Sequence, residues 1–419
     1  MPGSHARRDS AQPTGPSELP VGHGHGHGPA PDVAITPRAR RLLLGFLVTC
    51  LLATLAGVVL LWPDGEKVDA ISDEVRFAAP GVTFPRAEVL DVESACAAGT
   101  VGDDCGKVRV RVLEGEGRGA QVSVPVPPDV TESGLREGDQ IKLLRTPSAE
   151  QAPETYNYFG TVRTTPVLIL LVLFVVVVLA VARWRGLMAL IGLLFAAAVL
   201  WRFLLPALLS GQPPVLVAAV AASLIMFVVL YTTHGWSLRT SAALAGTLGG
   251  IALTATLGHL AVRGSRVTGV VDEGSRILST VADDLSFQGL FACAVVVAGL
   301  GVLNDVTITQ ASSVWEIRAA APSMSRRAVF ASGMRIGRDH IASTIYTIVF
   351  AYAGTALVIL MVLSLYDRPL LDLLATEEIG QEVVRTLATS IGLVLAVPLT
   401  TAIAAATLPR AQQASNAVG

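Results

Sequence analysis

Residues 299–316, Gly-Leu-Gly-Val-Leu-Asn-Asp-Val-Thr-Ile-Thr-Gln-Ala-Ser-Ser-Val-Trp-Glu, combine carboxylates, hydroxyls and an apolar lead-in. On a helix, Thr309, Ser312 and Glu316 fall within roughly 40° of Asp305, counting 100° per residue. A carboxylate close to hydrocarbon is costly unless it is paired, solvated or used. The stripe can line a water path or bind a cation through oxygen ligands. The competing reading is an interfacial helix whose polar face meets cytoplasm.

A second polar run, 332–343, supplies partners. Asp339 and Ser343 share a helix face, and Asp339 can cap a helix or pair with Arg335 one turn earlier. Arg335 or Arg338 can instead neutralise Asp305 or Glu316 across a helix interface, which costs less than a buried unpaired charge. The expected polar site is therefore Asp305, Thr309, Ser312, Glu316, Arg335, Arg338, Asp339 and Ser343.

Two further groups have ligand or redox potential. His23, His25 and His27 alternate with glycine and can bind a transition metal weakly, or form a solvated tail. Cys96 and Cys105 suit a disulfide stapling a loop in an oxidising compartment. Cys50 and Cys293 sit in apolar segments as packing residues. No His-Glu-x-x-His, Gly-x-Ser-x-Gly or Gly-x-x-x-x-Gly-Lys motif occurs, so an enzyme ranks last and no cofactor is expected.

The elements that carry these residues are membrane helices. Hydrophobic residues make up 52% of the chain, charged residues 15%, and the mean hydropathy is +0.58. That excludes an ordinary soluble domain, and a net charge of −2 gives no basis for nucleic-acid binding. Apolar spans are predicted at 42–62, 166–182, 187–205, 214–232, 240–262, 287–304, 341–365 and 383–408. Arginine-rich short loops alternate with acidic ones, which places both termini in the cytoplasm. Span 240–262 is rich in small residues, with Gly246 and Gly250 suited to close packing and His259 near its outer end.

Between spans one and two the pattern changes to strand alternation at 107–113, 121–126 and 140–144, separated by Gly-rich turns. The expected architecture is an α-helical membrane protein of about eight transmembrane helices with a small extracytoplasmic all-β domain. Its parts are a disordered tail (1–37), a first helix (38–62), the β domain (63–163), a seven-helix domain (164–410) and a C-terminal tail (411–419).

Three motifs carry a family resemblance: Tyr156-Asn157-Tyr158-Phe159 with Arg163 after a β region, 301–306 with 311–316, and 335–340 followed by 350–354. The chain resembles the YibE/F family of bacterial multi-pass membrane proteins over roughly residues 80–408. The resemblance implies a transporter-like architecture in the cytoplasmic membrane and no substrate. Two functions are expected from it and from the residues. One is transport or export of a small solute or ion; the other is a membrane scaffold whose β domain binds an envelope protein. The lipid bilayer is the partner common to both, and neither sets an oligomeric state.

Overall fold

The computed structural model describes residues 36–74, 77–93, 106–148, 153–282, 284–365 and 369–409. The histidines at 23, 25 and 27 and the Cys96–Cys105 pair lie outside the described residues.

Helix α1 (Pro37–Leu60) begins with Thr36 accepting the Ala39 amide and Pro37 in the first turn. This arrangement satisfies or avoids orphan donors. Short α2 (Gly65–Glu74) follows, and then five strands: β1 (Arg86–Val92), β2 (Lys107–Val112), β3 (Gln121–Pro125), β4 (Gln140–Thr146) and β5 (Thr155–Thr161). One-turn α3 (Pro128–Glu132) lies between β3 and β4. They form one antiparallel sheet in the order β3-β2-β1-β4-β5. Val108, Val110 and Val112 are buried while Arg109 and Arg111 face out, as a period of two requires. Irregularities at Val89–Asp91 and Lys142–Leu143 bend the strands. The sheet curls until β3 and β5 approach each other around Val89, Val124, Ile141 and Leu143. The small barrel or sandwich expected here is thus a single curled sheet.

The rest is helical: α4 (Thr164–Val199), a π-turn to Leu204, α5 (Leu205–Leu209), α6 (Pro214–His234), α7 (Leu238–Ser265), α8 (Glu273–Val281) and α9 (Phe287–Ala320). Then come α10 (Arg326–Thr355), α11 (Leu357–Ser364), α12 (Leu370–Leu373) and α13 (Glu377–Thr407). Among the described residues six helical stretches are long and apolar enough to cross a membrane. A seventh is added if α10 and α11, bent by 70°, count as one.

The difference from eight lies in Thr164–Leu209, a 46-residue stretch. At 1.5 Å per residue it would reach about 69 Å, more than twice the hydrocarbon thickness. Arg183 interrupts it with φ 52° and ψ −129°. A Cβ on Gly186 would stand 2.7 Å from the Val178 carbonyl oxygen, although eight residues of unbroken helix advance about 12 Å. The chain therefore folds sharply at Arg183, between the two segments read as separate spans.

Contacts sort the helix ends into two sets. Trp62 meets Phe203 at 6.1 Å, Lys67 meets Asp284 at 3.4 Å, and Glu377 accepts from Thr268. At the other end Tyr231 stacks on Trp236 at 4.2 Å. There too, buried Arg318 donates to the carbonyls of Pro322 and Pro409, and Arg326 to that of Leu408. The core between them is α7, α9 and α13. Gly246 faces Thr400, Gly250 faces Leu303 and Ala396, and Gly392 faces Thr254, each too close to admit a Cβ without displacement. Small residues at such positions let helix backbones approach.

Candidate functional site

Helix α10 joins this core through its glycines. A Cβ on Gly337 would lie 2.7 Å from a Val397 methyl and 3.1 Å from the Gln310 amide, and Gly333 packs on Thr401 and Val314. The close approach lets buried Gln310 of α9 donate across 2.7 Å to the Gly333 carbonyl. One turn earlier the hydroxyls of Thr307 and Thr247 lie 2.6 Å apart. Thr401 donates to Val397 and Thr389 to Val295. Amide and hydroxyl groups thus run through a core that the bilayer would otherwise make apolar, and a buried polar group needs such partners.

On α9 just before Thr307 the surface becomes ionic. Asp305 is largely exposed, and its carboxylate stands 3.8 Å from Nε2 of His340 on α10. That is ion-pair range when the imidazole is protonated, but too long for a hydrogen bond. Thr309 and Ser312 are half-buried beside it, while Glu316 is exposed.

The second run is less convergent. Arg335 is exposed and donates to Ser332 at 2.8 Å. Arg338, Asp339 and Ser343 are exposed as well. Among the described residues neither Arg335 nor Arg338 forms an ion pair with Asp305 or Glu316, and Asp339 pairs with no arginine. The structure brings Asp305 to α10 through His340, the residue after Asp339 and outside the expected set. The rotation of α10 that seats Gly333 and Gly337 on α9 and α13 determines this.

Two other groups escaped the spacing argument. Gln310 is five positions from Asp305, so it occupies the opposite flank of α9 from the stripe. Glu382 and Arg385 of α13 pair at 2.9 Å with about a quarter of each side chain exposed, and the guanidinium lies 5.1 Å over the Phe291 ring. A cleft of about 300 Å³ beside them includes Tyr352, Ala356 and Thr386. Their three-residue spacing at the start of span eight was the signal for that pair. Among the described residues no group of three or more His, Cys, Asp or Glu is placed to hold a metal ion.

No curated protein and no solved structure matches the chain. The family description YibE/F-like protein matches residues 170–410, which takes in α5 to α13 and all but the start of α4. The sheet at 86–161, which the resemblance had also included, lies outside the match. With more than half of its length covered by the helices that build this polar core, the chain belongs to the YibE/F-like family.

Proposed function

We propose that the chain transports or exports a small solute or ion across the bacterial cytoplasmic membrane, without enzymatic chemistry. The observation that carries this reading is the Asp305–His340 pair at one end of a core containing Thr247, Thr307, Gln310 and Thr401. Ionisable groups at membrane level mark ion and proton paths more often than they serve packing. In this reading both termini are cytoplasmic, residues 63–163 are extracytoplasmic, eight spans cross the bilayer, and Asp305 receives its cation from the cytoplasmic side.

Flux into proteoliposomes tests the proposal. Vesicles holding the full chain are loaded with dyes for H⁺, Na⁺, K⁺ or Mg²⁺, beside Asp305→Asn and empty vesicles. The expectation is flux of one ion above empty vesicles, slowed at least about tenfold by Asp305→Asn, the size of a lost charge-assisted contact. Equal flux in wild type and variant removes Asp305 from the mechanism.

A second reading, a scaffold whose β domain holds an envelope protein, has its own support. Phe77, Phe84 and Phe159 form a ring cluster with centroids 4.8–5.7 Å apart, and Phe77 is 77% exposed. Exposed aromatics of this kind serve as interface anchors. Deletion of 70–160 then abolishes a co-purifying partner while membrane insertion survives.

A further inference from the structure

A cleft of about 610 Å³ opens between α6, α7 and the start of α9, at the set of helix ends opposite Asp305. Its volume is that of a small-molecule site. Helix α7 lines it with Ala252, Thr256, His259 and Arg263. At 100° per residue Ala252 and Arg263 lie within about 40° of Thr256, and His259 within about 60°, so one stripe faces the opening. Arg263 is two residues from the end of α7, and Ala252 is about 16 Å deeper along the axis.

The polarity is graded along that depth. Toward the end of α7 and the start of α9 the lining residues are Arg263, His259, Ser286 and Gln288. The deeper wall is apolar, with Leu216 and Ala219 of α6 across from Ala252 and Ala255. No Asp or Glu lines the cleft, and Arg263 forms no ion pair among the described residues. A cation without a carboxylate, set above an apolar slot, complements a molecule with an anionic head and a hydrocarbon tail.

We propose that this cleft binds an anionic amphiphile, its carboxylate or phosphate head on Arg263 and His259 and its tail along Leu216, Ala219 and Ala252. Such a ligand comes either from the bilayer, as an anionic phospholipid, or from solution, as a free single-chain acid. The proposal does not depend on transport, since it concerns a different end of the bundle and none of the residues assigned to ion movement.

Native mass spectrometry of the full-length protein in neutral detergent tests it, with phosphatidylglycerol, dodecyl phosphate and phosphatidylcholine as probes. The wild-type chain is expected to retain phosphatidylglycerol or dodecyl phosphate at least about tenfold more strongly than phosphatidylcholine. Tighter phosphatidylglycerol binding assigns the bilayer as the source, and tighter dodecyl phosphate binding assigns the free solute. Arg263→Gln should erase the preference for the anionic head, and Ala252→Trp should block both anionic probes by filling the slot. Circular dichroism checks that each variant is folded; if one is not, the other decides. Equal retention of all three probes, or retention unchanged in a folded variant, overturns the site.

Discussion

The side-chain amide of Gln310 donates across 2.7 Å to the main-chain carbonyl of Gly333, tying α9 to α10. The bond is buried, so removing the amide takes from the Gly333 carbonyl a partner inside the core. Gln310→Leu is expected to destabilise the bundle by about 1 kcal/mol, the usual net value of such a bond. Thermal unfolding in detergent reads it, and an unchanged midpoint contradicts the role.

The glycine that permits this approach should be less tolerant. Gly337→Val would place its side chain against the Val397 methyl and the Gln310 amide. Overpacking of this kind costs about 1–3 kcal/mol, so the same melt should fall further than for Gln310→Leu. A midpoint equal to wild type would mean that α10 does not depend on this contact.

Arg183 offers a substitution in the stabilising direction. Its φ of 52° with ψ of −129° belongs to backbone that glycine adopts readily and other residues do not. Arg183→Gly should raise the midpoint, by an amount corresponding to about 1 kcal/mol. A lower midpoint would show that the arginine side chain contributes more than its backbone costs.

The β domain should weaken in acid. The Tyr156 hydroxyl first, and then the Arg145 guanidinium, hold the Glu154 carboxyl below its ordinary value of 4.5. Hydrogen bonds from the Arg86 side chain and backbone lower Glu114 in the same way. A carboxyl depressed in the folded state gives its full stabilisation above the unfolded value and loses it as pH falls through the folded one. Amide exchange in β4 and β5 of the full chain, corrected for intrinsic rates, should therefore accelerate below about pH 4.5. Glu154→Gln should flatten that dependence; an identical profile would exclude Glu154 as its source.

Sidedness can be read at Asp305 itself. Its side chain is 70% exposed, so Asp305→Cys should react with a membrane-impermeant maleimide in inside-out vesicles and not in intact cells. Labelling in intact cells would reverse the proposed orientation.

The sequence made some of this legible and concealed the rest for physical reasons. Strands β2, β3 and β4 follow their alternation closely. β1 hides because the irregularity between Val89 and Asp91 breaks the period of two. Arg183 and Arg185 read as a loop between spans, yet the fold there is so tight that helical hydrogen bonding runs almost through it. The Asp305 stripe was visible in its spacing, whereas its neighbour was not. Whether Arg335, Arg338 or His340 meets it depends on the rotation of α10, set by Gly333 and Gly337 against distant residues of α9 and α13. Helical spacing within one segment carries no information about that rotation.

The packing of α7 against α13 also bears on biosynthesis. The α7 face that carries Gly246, Gly250 and Thr254 is completed by Thr400, Ala396 and Gly392 near the end of the chain. α7 ends at residue 265 and α13 at residue 407, so 142 residues must be made before the face is covered. At ribosomal rates of about 5–20 residues per second that is an interval of roughly 7–28 s. Throughout it a groove bearing hydroxyls and bare backbone is without its closing helix. The insertion machinery, or α9 alone, has to shelter that groove until the last helix arrives, which makes C-terminal truncation a defect of assembly for the whole bundle.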